Sequence, residues 1–312
     1  MKELSGKIAV ITGGGTGMGR ELAKQLTAEG CDVAICDVSS ENMQETLSLC
    51  AEQSAQGVRM TSFKCDVSSE EDMNAFAAHV QSEFETSHIN LLFNNAGVAG
   101  GGSFLNEERE TWERTFNVCW GGVYNGSRAF IDLLVNSSEG HIVNTSSVNG
   151  FWASAGPDAA HTAYSAAKFA VKGFTEALIT DLRLNAPHVK ASVVMPGHVG
   201  TSIVLNGTGQ GDDQGKRTVA RMMSMPVDSM SEEELGAAIE MAGESFRDNA
   251  PTSAEEAAAI MIQAVKDERW RVLVGKDAER LDAAVRAAPE EAYEPPFREN
   301  YTVGPLLGTE SD

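Results

Sequence analysis

The chain has 312 residues and a formal net charge of -21, from 24 basic and 45 acidic side chains. That length is ample for a sizeable core in one large domain or two small ones, and the acidic field, which repels phosphate, excludes nucleic acid and anionic lipid as expected partners. No apolar run approaches the roughly 20 residues that cross a bilayer, no secretory pattern opens the chain, and five cysteines without a C-x-x-C pair (Cys31, Cys36, Cys50, Cys65, Cys119) predict buried thiols in a reducing cytoplasm.

Residues 7–12 (Lys-Ile-Ala-Val-Ile-Thr) are a continuous β-branched run of the kind buried on both faces of a parallel sheet. Glycines follow at once, spaced Gly-x-x-x-Gly-x-Gly at Gly13, Gly17 and Gly19, and a helical pattern over 20–29 closes at Gly30. Strand, glycine turn and helix together bring a bare backbone close to a pyrophosphate and aim helix N-terminal amides at its charge. Gly13, Thr16, Gly17 and Met18 are the candidate contacts.

A second strand over 33–36 ends in Asp37, 18 positions beyond Gly19, where a carboxylate accepts hydrogen bonds from adenosine ribose hydroxyls. Its neighbours Val38, Ser39 and Ser40 bring no cation for a 2′-phosphate, so NAD is expected rather than NADP. The alternative for Asp37 is a cap on the helix that begins near Ser40. A third strand over 60–65 ends in Asp66-Val67, where Asp66 either receives the adenine amino group or caps the turn, and a helix with a capping box follows to about Phe84. The fourth strand, 89–93, ends in Asn94-Asn95-Ala96-Gly97, small and amide residues suited to the ligand crevice of a doubly wound sheet.

The helical region 107–136 carries Trp112, Phe116, Trp120, Tyr124 and Phe130 near one stripe, which predicts core and subunit contact. Asn117 inside it is an amide with poor helix propensity, so it is either hydrogen-bonded structurally or used. The fifth strand, 141–145, ends in Ser146-Ser147. Tyr164 and Lys168 lie one turn apart near the start of an amphipathic helix reaching about Leu184. A cation beside a phenol of ordinary pKa about 10 favours the phenolate. A tyrosine tuned in this way takes the proton of a substrate hydroxyl, or returns it to a carbonyl oxygen, while a cofactor handles the hydride.

The sixth strand, 189–195, is broken by Pro196-Gly197. Residues 198–251 then turn glycine- and methionine-rich, with a mobile stretch expected at 207–213 and helices near 218–225 and 231–246. A capped helix to Lys266, a seventh strand at 271–274, a short helix to about Ala288 and a Pro- and Glu-rich tail complete the chain. Strands alternating with helices predict an α/β fold with a doubly wound parallel sheet and right-handed crossovers. His141, His161, His188 and His198 have no ligand spacing, and no metal is expected.

Thr12-Gly13-x-x-x-Gly17-x-Gly19, Asp66-Val67, Asn94-Asn95-Ala96-Gly97, Asn117, Ser146-Ser147, Tyr164-x-x-x-Lys168 and Pro196-Gly197-x-Val199-x-Thr201, in that order over about residues 2–201, resemble the short-chain dehydrogenase/reductase family. The resemblance implies a Rossmann fold in one domain over 1–288, with a substrate lid at 198–251 and a C-terminal tail at 289–312. It implies Tyr164 as acid/base, Lys168 lowering its pKa and binding the nicotinamide ribose, and Ser147 on the reacting oxygen, with Ser146 the neighbouring alternative. Asn117 would hold a relay water through its backbone, and Val199 and Thr201 would fix the nicotinamide carboxamide. Val67, Asn95, Ala96, Gly97, Pro196 and Gly197 complete the implied cofactor site. Ser147 lies 17 residues before Tyr164, farther than in most members, which assigns the insertion around 157–161 to the substrate pocket.

The expected activity is hydride transfer between NAD and a largely apolar secondary alcohol or ketone, and the alternative is a non-catalytic NAD-binding regulator or scaffold. The family implies a homotetramer or dimer. The lid is expected to be mobile and to close over substrate through Met222, Met223, Met225 and Met230, against an aromatic wall of Phe151 and Trp152.

Overall fold

The computed structural model describes residues 1–154, 160–207, 217, 220 and 230–301. Its strands are β1 (Ile8–Thr12), β2 (Asp32–Asp37), β3 (Met60–Lys64), β4 (Leu91–Asn94), β5 (Gly140–Thr145), β6 (Val189–Pro196), β7 (Val199–Gly200), β8 (Thr252–Ser253) and β9 (Arg271–Val274). Seven of them form one sheet in the order β3-β2-β1-β4-β5-β6-β9, parallel throughout, and β7 pairs with β8 apart from it.

The helices are α1 (Gly17–Ala28), α2 (Ser40–Ala51), α3 (Glu70–Glu83), α4 (Arg109–Phe116), α5 (Gly122–Val135), α6 (Thr162–Asn185), α7 (Ile203–Gly207), α8 (Glu232–Asp248), α9 (Ala254–Lys266), α10 (Lys276–Ala287) and α11 (Pro295–Asn300).

Alternation along the strands divides the core in two. Ala9, Ile11, Val33, Ile35, Leu91 and Phe93 pack with Leu22 and Leu26 of α1 and Met261 and Ile262 of α9. Ile8, Val10, Ala34, Cys36 and Leu92 pack with Phe76 and Val80 of α3 and Phe130 and Leu134 of α5. Burial on both faces explains why these strands read as unbroken apolar runs. All five cysteines are buried and unbridged. The strand order reverses between β1 and β4, and the crevice at their carboxyl ends is where a doubly wound sheet receives a ligand.

Two expectations change. The helix across 107–136 is two helices joined by a π-helical turn at Asn117–Gly121, in which Gly122 N–H donates to Asn117 O. Phe151 and Trp152 do not wall a cavity: Trp152 is fully buried with Val148, Ala278, Leu281 and Ala292, and its indole N–H donates to Ala292 O at 2.7 Å. That contact fastens the tail as far as Tyr301 to the loop after β5. The glycine stretch from 208, the helix near 218–225 apart from Ala220, Met222, Met223 and Met225, and residues 155–159 of the insertion lie outside the described residues. Met230 is described and packs with Val204, Leu235 and Ile239. No helix among the described residues is long and apolar enough to cross a membrane.

Candidate functional site

The glycine turn owes its shape to two neighbours. Gly13 (φ 67°) and Gly17 (φ 54°) occupy the left-handed region, and a Cβ at Gly13 would lie 2.8 Å from the Ala96 backbone. Thr12 ties that approach together, its hydroxyl accepting the N–H groups of Asn95 and Ala96, both at 3.0 Å. Helix α1, which opens from this turn, has no capping side chain and no acid in its first turn. By contrast α2, α3, α8 and α9 are each capped by a serine, Ser39, Ser69, Ser231 and Ser253. The α1 amides and dipole therefore face the crevice free to receive an anion.

At the end of β2, Asp37 accepts Gly15 N–H and Ser39 N–H, both at 3.0 Å, and so lies across the mouth of the turn. Arg20 does not serve as a cation for that mouth: its guanidinium donates to Gly15 O at 2.7 Å and pairs with Glu45 at 2.5 Å. Asp66, past β3, accepts the Ser68 N–H and hydroxyl and remains exposed.

These residues border one cavity of about 880 Å³, which runs from the glycine turn to α6. Gly13, Thr16, Gly17, Met18, Asp37, Asp66, Val67, Asn95, Ala96, Gly97, Tyr164, Lys168, Pro196, Gly197, Val199 and Thr201 all line it, as do Ser146 and Ser147. Two polar atoms on its wall, Asn95 Oδ1 and Thr145 Oγ1, are buried without a partner in the protein. Such orphans are costly unless a ligand or water completes them. Unfilled helix amides, a glycine cradle and orphaned wall atoms together fit a dinucleotide.

The far end brings Ser147, Tyr164 and Lys168 together. Lys168 is buried on α6 and donates from Nζ to Thr145 O at 2.9 Å, with Nζ 5.4 Å from the centroid of the Tyr164 ring. Ser146 is committed to the scaffold, its hydroxyl donating to Lys168 O at 2.7 Å. Ser147 accepts Asn149 N–H at 3.1 Å and interacts with the Tyr164 hydroxyl. Burial pushes the Tyr164 phenol above its ordinary pKa, with the Ser147 hydrogen bond pulling the other way, and burial pushes Lys168 down. The expected lowering of Tyr164 by Lys168 is not found: desolvation of the phenolate dominates, Cys119 adds to it, and only Ser147 opposes it.

Asn117 opens the π-helical turn, so a part in a relay would fall to its backbone and not to its side chain. It is exposed and does not line the cavity, whereas Cys119, two positions on, is buried beside Val98 O and interacts electrostatically with both Tyr164 and Lys168. His161, which the sequence set in the insertion assigned to the substrate pocket, does line the cavity, but its stacking on Tyr164 was not foreseen: the two rings lie 4.6 Å apart at 10° between planes. Sequence reading missed Asp277, which accepts His198 N–H at 2.7 Å and so holds the turn after Pro196 from α10. His198 in turn reaches Phe246 O of α8 at 2.7 Å, and Phe246, Val204, Leu205 and Asn206 border the cavity from the lid.

A family model described as short chain dehydrogenase matches residues 7–210. SadH of Mycobacterium tuberculosis, a protein named as an oxidoreductase, is 35% identical over 287 residues, 92% of this chain and 92% of its own length. Epidermal retinol dehydrogenase 2 of Homo sapiens is 30% identical over 65% of this chain and 63% of its own length. A short-chain dehydrogenase/reductase from Burkholderia phymatum, crystallised in complex with NAD, superposes with a TM-score of 0.76 at 28% identity, covering 93% of this chain and 95% of its own. Matched in sequence over most of its length and in fold nearly throughout, the chain belongs to the short-chain dehydrogenase/reductase family and is an NAD(P)-dependent oxidoreductase.

Proposed function

We propose that the protein oxidises a secondary alcohol with NAD, or reduces the matching ketone with NADH, with Tyr164 as the acid/base. The observation that carries this reading is the single cavity that joins the glycine turn and Asp37 at one end to Ser147, Tyr164 and Lys168 at the other. When bound, the dinucleotide supplies the acceptor or donor of hydride. The protein's part is to hold the substrate oxygen between the Tyr164 and Ser147 hydroxyls, where the phenolate removes its proton and Ser147 donates to the charge that develops. Lys168, anchored on Thr145 O, sits where its ammonium can meet both the nicotinamide ribose and the Tyr164 ring. Thr201 and Val199, on the turn held by Asp277, are assigned to the carboxamide. With water displaced by the lid residues Val204, Leu205 and Phe246, these charges act in a low dielectric.

The preference for NAD rests on Asp37, whose carboxylate would face a 2′-phosphate while Arg20 remains paired with Glu45. Titration of both nucleotides into the free protein tests it: NAD is expected to bind at least about tenfold more tightly, and equal affinity would remove Asp37 from the role. A panel of secondary alcohols followed by absorbance of the reduced cofactor tests the reaction itself. A homo-oligomer fits the exposed Tyr124 of α5 and Phe169 of α6.

A further inference from the structure

Six histidines occur in the chain, and five hold a partner through a ring nitrogen: His79 with Thr61, His88 with Thr86, His141 with Ser192, His188 with Val135 O and His198 with Phe246 O. His161 differs. Both of its ring nitrogens are buried and neither has a partner. It precedes α6 without capping it, and its ring lies flat against that of Tyr164. Burial holds it neutral, with a pKa down at about 4, so near neutrality the imidazole carries one donor and one acceptor. Two unsatisfied nitrogens beside an acid/base are costly to the free protein unless something that binds there completes them.

The surroundings define what that is. His161 and Ala160 form the partition between the 880 Å³ cavity and a second one of about 590 Å³ that is bordered by Phe169 and Tyr293. Val98, Ala99, Val204 and Leu205 give the same cavity apolar surface, with Arg114, Asn149 and Asn206 as further polar lining. The reacting oxygen is already served by Tyr164 and Ser147. The His161 ring lies nearly parallel to the phenol with 4.6 Å between centroids, so an oxygen bonded in the imidazole plane is a different one from the oxygen that the phenol hydroxyl serves. A neutral ring has no charge to pair with a carboxylate, and its one donor and one acceptor suit an uncharged oxygen.

Building on the dehydrogenase reading above, we propose that His161 is a specificity-determining residue that hydrogen-bonds a second oxygen of the substrate. The preferred substrates are then alcohols or ketones that carry a hydroxyl or carbonyl on the carbon next to the reacting one, with the apolar remainder extending past His161 toward the second cavity. The chemical step is unchanged: the carbinol C–H electron pair leaves as hydride to NAD, the hydroxyl proton goes to Tyr164, and the neighbouring oxygen is neither oxidised nor reduced.

The test compares 1-phenylpropane-1,2-diol with 1-phenylpropan-1-ol in the wild type and in His161→Phe, which keeps a flat ring against Tyr164 and removes both nitrogens. The wild type should favour the diol in kcat/KM by at least about tenfold, and in His161→Phe the ratio should fall toward one, because a site built to bond an oxygen discriminates against ligands that lack it. The variant should also melt no lower than the wild type, since it loses two unpartnered polar atoms. An unchanged ratio, no preference in the wild type, or a lower melting temperature would overturn the proposal. Independently of turnover, the ¹⁵N resonances of His161, identified by their absence in His161→Phe, should shift when the diol is added with NADH and not with the mono-alcohol. No such shift overturns the proposal even if neither alcohol reacts, whereas failure of the wild type to oxidise either one, with the shift present, counts against the dehydrogenase reading alone.

Discussion

Tyr164 and Lys168 show how burial acts on the pair proposed for acid/base chemistry. Each is pushed toward its neutral form, the phenol upward and the ammonium downward, because both sit where water cannot solvate a charge. The Ser147 hydrogen bond opposes this at the phenol. Alcohol oxidation needs the phenolate, so its rate should climb as pH rises from neutral toward alkaline, and ketone reduction, which needs the protonated phenol, should fall over the same range. Tyr164→Phe should lower turnover by about 10²- to 10⁴-fold while leaving nucleotide affinity nearly intact, since the ring remains packed and only the proton carrier is lost. Steady-state rates and a nucleotide titration on the same variant check this. Near-wild-type turnover would end the role assigned to Tyr164.

At the scale of elements, the loop after β5 is braced from behind by the C-terminal part of the chain. Trp152 fills the space between this loop, α10 and the tail, with its indole N–H on Ala292 O and its ring against Phe297 of α11 at 6.0 Å between centroids. Truncating so large a buried ring costs about 3–5 kcal/mol. Trp152→Ala should therefore lower unfolding free energy by roughly that amount in urea titrations and leave NAD affinity unaltered, because Trp152 is not on the cavity wall. A stability change under about 1 kcal/mol would mean that the tail does not brace the loop. The turn after β6 is braced in the same manner, with Asp277 of α10 accepting His198 N–H and His198 bonding the carboxyl-terminal turns of lid helix α8.

For the whole molecule, the buried histidines set an acid limit. His141 and His161 are both held down to about pKa 4 by burial, whereas in the unfolded chain a histidine titrates near 6.5. Between those values the unfolded state binds more protons, so their contribution is complete above pH ~6.5 and is lost as pH falls toward 4. The loss is on the order of 3 kcal/mol per group at most. His141→Gln should flatten the fall in unfolding free energy between pH 6.5 and 4 relative to the wild type. Identical slopes in denaturant titrations across that window would show that His141 takes up its proton without cost.

The sequence alone determined the main sheet and nearly all of the residues that the structure brings to the cavity wall, because those are local properties. A strand buried on both faces must be apolar without interruption, a turn that meets a pyrophosphate must be glycine, and Tyr164 and Lys168 share a helix face through their own spacing. What the tertiary structure decided were contacts between residues far apart and one shift of phase. The π-helical turn at Asn117–Gly121 closes its hydrogen bond five residues back, so it rotates the helix face relative to a regular 3.6-residue period and brings Cys119 into the electrostatic surroundings of Lys168. Periodicity cannot reveal that shift, since the extra residue leaves no mark in composition. Trp152 was legible as a large apolar side chain, but the partner that turns it away from the cavity lies 140 residues on, at Ala292. The stacking of His161 on Tyr164 and the grip of Asp277 on His198 likewise exist only once β5, α6 and α10 meet at the carboxyl ends of the strands.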